Sequence, residues 1–361
     1  MNDLEDLQKS KDSTEARQKL EQIKSALESV WKKEEIYWSQ RARIQWLKAG
    51  DQNTKIFHLT TVQRRQKNRF LRLRNESGGW LLGEHLIGAE FRNYFSELFK
   101  SAGPRRWGNI LDAIPRLVTD DMNSLLTAPF SEEEVSLAAH QLEAFKAPGP
   151  DGFQGAFYHK FWEDVKGTVT GAAGDLFNGT AQMRIINQTF IALIPKVLAN
   201  QIKSVLPEVI SESQTAFVQD RQIQDNIIVA HEAFHYLKLK RTGCKLEAGL
   251  KIDMSKAFDR VEWDFLVGVM QKLGFSDFWI NMVMACVSTV SFSVLINGKP
   301  GEPFQPIRGL RQGDPFSPYL FLIISEALSR NIMKCIESGE IKGIRIARGS
   351  PTLSHLFFAD D

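Results

Sequence analysis

Apolar residues recur at three- and four-residue steps through much of the chain, which is the pattern of amphipathic helices. In residues 1–47 they stand among Glu, Lys and Gln, with no Pro or Gly before Gly50, so one long N-terminal helix is predicted. Within the helical stretch 84–145, Ser131 followed by three glutamates is typical of a helix start. Further helices are predicted over residues 156–176, 222–240, 263–273 and 276–288.

Short apolar runs bounded by turn residues predict strands between these helices. Residues 290–296 alternate between larger and smaller side chains and lead into Asn297-Gly298, a strong signal for a β-hairpin. A second hairpin turn is predicted over residues 75–80. The mixture of elements predicts an α+β fold in which helices cover an antiparallel sheet. The remaining strands are predicted over residues 190–196, 249–253, 341–347 and 353–359.

The charge of the whole chain is nearly neutral, but its distribution is uneven. The 361 residues include 45 Lys and Arg against 43 Asp and Glu, so the net charge of +2 does not by itself indicate a nucleic-acid partner. Residues 32–74 are rich in Lys and Arg around Trp46 and have few acidic residues. That pattern suits phosphate contact, although a solvated basic face has the same composition. The candidate nucleic-acid-binding residues are Arg43, Lys48, Arg64, Arg65, Lys67 and Arg69.

Cysteine content and hydropathy exclude several classes of protein. The 3 scattered cysteines are too few for a disulfide framework or a zinc site, so a reducing compartment is the default. No apolar run approaches the roughly 18–20 residues that span a membrane, and the polar N-terminus is unlike a secretory signal. The sequence therefore predicts a soluble intracellular protein without a membrane partner.

Three carboxylates stand where two predicted strands end. Asp253 closes the strand 249–253, and Asp360 and Asp361 follow the strand 353–359. Neighbouring strands can present such residues at one sheet edge, where two divalent ions about 4 Å apart can catalyse nucleotidyl transfer. Hard oxygen ligands of this kind suit Mg²⁺. An isolated Asp-Asp pair is more typical of a turn, so the prediction depends on the combination and its order.

Other residues fit such a site only in combination. Phe258 follows the first carboxylate by five positions and can pack against a bound sugar, although an aromatic residue there is more often part of a core. The loop 308–315 offers free backbone donors before a helix that Asp314 or Ser317 would cap, which suits a phosphate or a base pair. An ordinary helix-entry loop gives the same pattern. The candidate nucleotide-binding residues are Phe258, Gln312, Gly313 and Lys146.

Taken in chain order, these motifs resemble the reverse transcriptases of plant LINE-type (non-LTR) retrotransposons. The resemblance covers the chain from about residue 30 onward, and several spaced motifs rarely coincide by chance. The matching segments are residues 43–58, the Lys-Ala-Pro-Gly-Pro-Asp-Gly-Phe run at 146–153, residues 216–218 and 221–226, residues 253–263, residues 308–321, and Phe358-Ala359-Asp360-Asp361.

The resemblance implies a right-hand polymerase with fingers and an antiparallel palm sheet, preceded here by the long N-terminal helix. It implies RNA-templated DNA synthesis with Mg²⁺, or with Mn²⁺ in its place. The partners would be an RNA template, a DNA primer and deoxynucleoside triphosphates, and the location would be the nucleus. The implied site residues are the metal ligands Asp253, Asp360 and Asp361, the sugar-discriminating Phe258, and Gln312, Gly313 and Lys146 around the nucleotide or template.

Three departures from the family pattern shape the domain prediction. An Arg-Pro-Ile-Ser-Leu fingers motif is absent near Lys196-Val197, which predicts an internal deletion near residue 197. Nothing follows Asp361, so the return strand of the metal hairpin and the thumb are expected to be missing. No endonuclease domain precedes the first residue. The predicted domains are a helical, basic extension over residues 1–75 and fingers with a partial palm over residues 76–361.

These departures lead to three functional hypotheses. The first is a reverse transcriptase fragment that is inactive by itself, because a chain end frays and cannot preorganise the carboxylates. The second is a nucleic-acid-binding remnant that acts through the basic residues 41–74. The third is a translated genomic relic without a selected function. Oligomeric state, template preference and priming stay open at this stage.

Overall fold

A computed structural model describes residues 14–42, 54–101, 103, 105–145, 153–179, 193–240 and 247–359 of this chain. These residues form two compact units. The first lies within Met1–Glu90 and Val294–Gly301, and the second lies within Phe91–Ser293 and Glu302–Asp361. Helices dominate both units, and the strands are short. None of the described helices is both long enough and apolar enough to cross a membrane.

Two helices make up most of the first unit. α1 (Thr14–Ala42) lies inside the long helix predicted for the N-terminus, and α2 (Thr54–Lys67) packs against it. Trp38 and His58 meet edge to face at this contact, with ring centroids 4.4 Å apart. The remainder of the predicted helix, residues 1–13 and 43–47, lies outside the described residues.

Both predicted hairpins are present. In the first turn, the N–H of Gly79 donates to Oδ1 of Asn75 at 2.7 Å. In the second, Asn297 and Gly298 have φ values of 52° and 86°, the left-handed conformation that an Asn-Gly turn supplies. The strands are β1 (Arg72–Arg74) paired antiparallel with β2 (Trp80–Leu82), and β3 (Leu295–Ile296) paired antiparallel with β4 (Lys299–Pro300).

The second unit is mainly helical, as the apolar spacing predicts. The helices predicted over residues 156–176, 222–240, 263–273 and 276–288 are all present with nearly the same ends. In chain order the helices after β2 are α3 (Glu84–Leu98), α4 (Gly108–Leu111), α5 (Asp120–Leu126), α6 (Glu132–His140), α7 (Gly155–Phe177), α8 (Leu193–Lys203), α9 (Leu206–Val209), α10 (Ile223–Leu239), α11 (Trp263–Leu273), α12 (Asp277–Ser288) and α13 (Ser317–Glu337), with a 3₁₀ turn at Phe258–Arg260.

The main core of the second unit lies between α8, α11, α12 and α13. Leu198, Leu266, Trp279 and Leu322 are fully buried there, one from each of these helices. Burying a side chain of this size stabilises a fold by about 1.5–3 kcal/mol. A smaller cluster packs α6 against α7 and includes Trp162. This helical core supports the loops that carry the predicted site residues.

Polar side chains near two helix starts of the second unit accept hydrogen bonds from backbone N–H groups. The hydroxyl of Ser131 accepts from the N–H of Glu134 at 3.1 Å, and the carboxylate of Glu134 accepts from the N–H of Ser131 at 3.0 Å. Before α13, Oδ1 of Asp314 accepts from the N–H of Phe316 at 2.8 Å, and Pro318 stands in the first turn. The predicted start at Ser131 is confirmed. The cap predicted at Asp314 or Ser317 is wrong, because the N-cap of α13 is Phe316 and no side chain makes a capping hydrogen bond there.

The strand predicted over residues 190–196 is wrong where the structure describes it, because helix α8 begins at Leu193. Apolar residues continue past the end of the predicted strand at helical spacing, so one face of a helix is buried. Pro195 is tolerated because it lies in the first turn, where its missing N–H costs no hydrogen bond. The buried side chains of α8 are Ile194, Val197, Leu198, Ala199 and Ile202.

The strand predicted over residues 249–253 is also wrong, since these residues have no regular secondary structure and pair with no strand among the described residues. Its apolar side chains are not buried: Leu250 is 85% exposed and Ile252 is 70% exposed. Without burial or a paired neighbour, an apolar run gains nothing from regular strand geometry.

The strands predicted over residues 341–347 and 353–359 are reduced to isolated bridges. One bridge joins Ile344 to Leu353, and another joins Phe357 to Gln214 in parallel. Among the described residues these segments form no larger antiparallel sheet, because the last segment bridges to the loop before α10. The assignment of fingers and palm stays a prediction. Helices with small antiparallel ladders remain, which is a mixed helix-and-strand fold.

Candidate functional site

The turn after Asp253 carries the first predicted site residues. Asp253 is exposed and makes no hydrogen bond with the described part of the chain. Lys256 has a φ of 55°, which residues with a side chain rarely adopt. Its ammonium group contacts the hydroxyl of Tyr94 and lies 4.7 Å from the centre of that ring. These contacts fix the turn between Asp253 and Phe258.

Phe258 is half-buried at the end of this turn. Its ring stacks on Phe321 of α13, with centroids 4.9 Å apart and 22° between the planes. Its carbonyl accepts from the N–H of Leu310 at 2.8 Å. The residue therefore packs against the core, as the alternative interpretation of the sequence expected. Part of the side chain stays open to solvent, so contact with a ligand is compatible with that packing.

The loop at residues 308–314 lies against the same turn. The N–H of Gly309 donates to the carbonyl of Val261 at 2.7 Å, and Nε1 of Trp263 donates to the carbonyl of Gly309 at 2.9 Å. Gly309 has a φ of 94°, and a Cβ there would lie 2.9 Å from the carbonyl oxygen of Asp259. Only glycine allows this conformation and this close approach of two backbones.

An ion pair with little solvent exposure anchors the loop. Nη1 of Arg308 lies 3.0 Å from Oε1 of Glu262, and the two side chains are 17% and 10% exposed. Arg308 also donates to the carbonyl of Leu98 from Nε at 3.0 Å and from Nη2 at 2.7 Å, and Ser101 donates to Glu262 at 2.7 Å. Both charges have further hydrogen bonds, which is the condition under which burial of an ion pair is tolerated.

Gln312 and Gly313 are exposed in this anchored loop. Nε2 of Gln312 donates to Oδ1 of Asp259 at 3.3 Å, directly beside Phe258 in the chain. Gly313 has a φ of 82° and open space where a Cβ would stand. The structure thus brings together the segment around Phe258 and the segment around Gln312, which are about fifty positions apart in the sequence.

The structure describes only some of the other predicted site residues. Arg43, Lys48, Lys146, Asp360 and Asp361 lie outside the described residues. Within residues 14–359, as far as the structure describes them, no group of three His, Cys, Asp or Glu side chains is arranged to hold a metal ion. The roles of the predicted ligands therefore stay predictions.

A buried carboxylate near the end of the chain was missed by the sequence reasoning. Glu326 of α13 is 1% exposed and accepts from the N–H of Ser211 at 2.9 Å, from the hydroxyl of Ser211, and from Nε of Arg330 at 2.5 Å. Its position inside the apolar run 319–328 was the available signal, because an unpaired carboxylate is costly there. Gln214, which bonds to Ala359, gave no such signal, since polar residues are ordinary in loops.

A histidine completes this polar network. Nε2 of His355 lies 3.0 Å from the hydroxyl of Ser213 and 2.8 Å from that of Ser329, while Nδ1 lies 2.8 Å from the hydroxyl of Ser354. Burial lowers the pKa of His355 below its usual value, because the imidazolium loses hydration. The network joins the loop at residues 211–214 to α13 and to the segment that leads into Asp360.

The first unit presents a basic surface. Arg64, Arg65 and Lys67 lie in the last turn of α2, where cations also complement the helix dipole, and all three are exposed. On the neighbouring hairpin, the guanidinium of Arg72 lies 4.4 Å from the centre of the Trp80 ring. Exposed cations beside an exposed aromatic residue form a surface that suits phosphates and unstacked bases.

Comparisons with known proteins agree on one family. A model of the reverse transcriptase (RNA-dependent DNA polymerase) domain matches residues 175–361. A Xenopus laevis protein described as the uncharacterized 149 kDa protein of transposon TX1 is 27% identical over 313 residues, which are 79% of this chain and 24% of that protein. A Pol polyprotein of the type-1 retrotransposable element R2 of Popillia japonica is 30% identical over 94 residues, 26% of this chain and 16% of that protein.

A plant protein matches a shorter segment more closely. An uncharacterized mitochondrial protein of Arabidopsis thaliana is 51% identical over 67 residues, which are 19% of this chain and 55% of that protein. The chain therefore spans only about a quarter of the transposon TX1 protein and about half of the Arabidopsis protein.

Proposed function

Because this chain belongs to the reverse transcriptase (RNA-dependent DNA polymerase) family, we propose that it is a fragment of a LINE-type retrotransposon reverse transcriptase, which carries the site of RNA-directed DNA synthesis at Asp253 and is inactive by itself. The observation that carries the proposal is the joining of two loops, residues 253–261 and 308–314. Hydrogen bonds of Gly309, Leu310 and Gln312 hold them together, and both contain residues of the predicted site.

The proposed metal ligands are Asp253, Asp360 and Asp361, with Mg²⁺ as the ion and Mn²⁺ as its substitute. Asp253 suits this role because its carboxylate is exposed and makes no hydrogen bond with the described residues, so its oxygens are available to a hard cation. A bound pair of such ions would activate the attacking oxygen and stabilise the leaving one. The protein's task is to hold the carboxylates in fixed directions.

The proposed nucleotide site lies between the two joined loops. The accessible part of Phe258 would contact the sugar, and its stacking on Phe321 would keep the ring in place. Gln312 and Gly313 would lie near the incoming nucleotide or the template, where the absence of a side chain on Gly313 leaves room for close approach. Lys146 would supply a cation to the phosphates.

A second candidate function is binding of RNA or DNA without catalysis. It is supported by the exposed basic surface of the first unit, which consists of Arg64, Arg65, Lys67, Arg69 and Arg72 with Trp80. Arg43 and Lys48 are proposed to extend this surface. Cations bind phosphates through counterion release, so this function requires no metal site.

The proposed partners follow from the reaction. They are an RNA template, a DNA primer and deoxynucleoside triphosphates, and the proposed location is the nucleus. A plant source is supported by the 51% identity to the Arabidopsis protein over 67 residues.

The metal site is tested by titrating the chain with Mn²⁺ and measuring free Mn²⁺ by electron paramagnetic resonance. Asp253→Asn should weaken binding by more than about tenfold, since loss of groups that only orient ligands already costs that much. Asp121→Asn removes a carboxylate from the exposed first turn of α5 and should leave the affinity unchanged. Equal affinities of the parent and Asp253→Asn would contradict the proposed site.

Primer extension on an RNA template gives a second readout. Synthesis that Asp253→Asn abolishes and Asp121→Asn leaves intact would support the proposed reaction. It would also overturn the expectation that the chain is inactive by itself. Synthesis that persists in Asp253→Asn would show that another site or another enzyme is responsible.

A further inference from the structure

The segment that leads into Asp360 is held by the loop before α10. The N–H of Phe357 donates to the carbonyl of Ser213 at 2.8 Å, and its carbonyl accepts from the N–H of Thr215 at 3.3 Å. Nδ2 of Asn226, in the first turns of α10, donates to the same carbonyl of Phe357 at 2.8 Å and to that of Ser213 at 3.1 Å. The backbone at Phe357 is therefore fixed by both a main-chain bridge and a side chain.

The side chain of Gln214 continues this pairing where the main-chain bridge ends. Its Oε1 accepts from the N–H of Ala359 at 3.1 Å, and its Nε2 lies 3.5 Å from the carbonyl of Ala359. A carboxamide has the same donor and acceptor as a peptide group, so it substitutes here for the next residue of a strand. Gln214 is 1% exposed, and its Oε1 also accepts from the N–H of Ala216 at 3.0 Å, which fixes its orientation.

Ala359 needs such support. Its φ is 55°, in the left-handed region, although it carries a side chain. A residue held there costs about 1–3 kcal/mol and persists only when its surroundings impose the conformation. Ala359 is the residue directly before the predicted ligand Asp360.

The loop that carries Gln214 is itself rigidly built. Arg221 donates to four main-chain carbonyls of this loop, and the buried carboxylate of Glu326 accepts from the N–H and hydroxyl of Ser211. Charge-assisted bonds of this kind are stronger than neutral ones, so the loop is a firm base for the contact with Ala359. The acceptors of Arg221 are the carbonyls of Ser211 at 2.5 Å, Gln214 at 2.8 Å, Ile210 at 2.8 Å and Pro207 at 3.1 Å.

We propose that Gln214 is a positioning residue for the proposed metal site: its carboxamide holds Ala359, the residue before the predicted ligands, in the left-handed conformation, and metal affinity depends on this contact. Gln214 acts through Ala359 and does not contact the ions. This inference rests on the proposed function, because it concerns the same carboxylates. It adds a buried glutamine, about 145 positions away in the sequence, to the residues on which metal affinity depends.

The first measurement is hydrogen–deuterium exchange of the full chain, read by mass spectrometry in peptides that cover residues 355–361. Gln214→Leu keeps the side-chain volume but removes both contacts with Ala359. The amide of Ala359 should exchange at least about tenfold faster, because its acceptor is lost and the strained conformation is released. Peptides that cover α11 and α12 should exchange at the parent rate.

The second measurement is Mn²⁺ affinity by electron paramagnetic resonance. Gln214→Leu should weaken binding roughly tenfold, the effect expected when a group that orients ligands is lost. Asn226→Ala, which removes the side-chain donor to Phe357, should shift both measurements in the same direction and serves if Gln214→Leu fails to fold.

Two controls separate positioning from general loss of stability. Gln224→Leu makes the same change at an exposed position of α10 and should alter neither exchange at residues 355–361 nor Mn²⁺ affinity. Leu126→Ala removes a fully buried core side chain from α5. It should lower the melting temperature, yet leave the affinity unchanged well below that temperature.

The outcomes separate two claims: that Gln214 holds Ala359 in place, and that this contact supports metal affinity. Unchanged exchange at Ala359 in Gln214→Leu would show that the Gln214 side chain does not hold Ala359 in place. Faster exchange with unchanged Mn²⁺ affinity, in a chain whose binding depends on Asp253, shows a structural contact and overturns the positioning role. Absence of any Asp253-dependent binding in the parent overturns the proposed metal site, and with it the role of Gln214. Parallel changes in exchange and affinity support the inference.

Discussion

At the scale of single residues, the contacts that matter most are those between charges with little exposure to water. Arg308 and Glu262 form an ion pair, Arg308 also donates to the carbonyl of Leu98, and Glu262 also accepts from the hydroxyl of Ser101. Arg308→Ala would leave the Glu262 carboxylate buried with one remaining donor. We expect a loss of about 3–5 kcal/mol in the free energy of unfolding, measured with urea, because an unpaired buried charge is costly.

The exposed pair of Lys299 with Glu84 provides the matched comparison. Its atoms are 3.2 Å apart, close to the distance in the buried pair, but the side chains are 78% and 43% exposed. Lys299→Ala should change stability far less, because water replaces the lost partner. Similar losses in the two variants would mean that burial is not what gives Arg308 its effect.

At the scale of elements, His355 couples the stability of the final segment to pH. Its imidazole bonds to Ser213 and Ser329, and burial lowers its pKa below the unfolded value of 6.5. The unfolded chain therefore binds a proton more readily than the folded chain. Stability from this group is fully present above pH 6.5 and is lost as pH falls from there through the folded pKa.

We expect the parent chain to lose more stability than His355→Gln when urea unfolding is compared between pH 7.5 and pH 5.5. Glutamine keeps a polar side chain at this position but does not titrate in this range. The charged neighbours on α13, Glu326 and Arg330, are paired with each other, so they should add little to the difference. An identical pH dependence in both chains would exclude His355 as its source.

The sequence predicted helices better than strands, and the reason is physical. A helix satisfies its own hydrogen bonds, so local spacing was sufficient for α11 and for the capped start of α6. A strand needs a partner that spacing does not identify. Residues 249–253 found none among the described residues, and Phe357 paired with a loop. Gln214 escaped notice for the same reason, since its partner Ala359 lies about 145 positions away in the sequence.

At the scale of the whole molecule, the reverse transcriptase family predicted from spaced motifs is confirmed by the match over residues 175–361, and the plant source stays a proposal. The boundary predicted at residue 75 stays a prediction, as does the assignment of the metal ligands. The two proposed functions belong to different compact units. The second unit carries the joined loops of the proposed polymerase site, and the first carries the basic surface.

Salt dependence tests the basic surface separately from the metal site. Replacing Arg64 and Arg65 by Ala should reduce the slope of log affinity for single-stranded RNA against log salt by about 1.4, since each phosphate contact contributes about 0.7. Fluorescence anisotropy with a labelled oligonucleotide measures this slope. Replacing Lys19 and Lys24 of α1, which are also exposed, should leave it nearly unchanged. RNA binding equal to the parent at every salt concentration would exclude the surface.

Helix α8 also limits which insertions the fold can tolerate. Each residue turns an α-helix by about 100°, so its buried face exists only while the residues keep their angular phase. One residue inserted between Lys196 and Val197 would rotate Ile194 away from the face that Leu198 and Ile202 share. Seven inserted residues would nearly restore the phase, because two turns are about 7.2 residues. The position after Lys196 is thus a point where the fold constrains the number of residues as well as their identity.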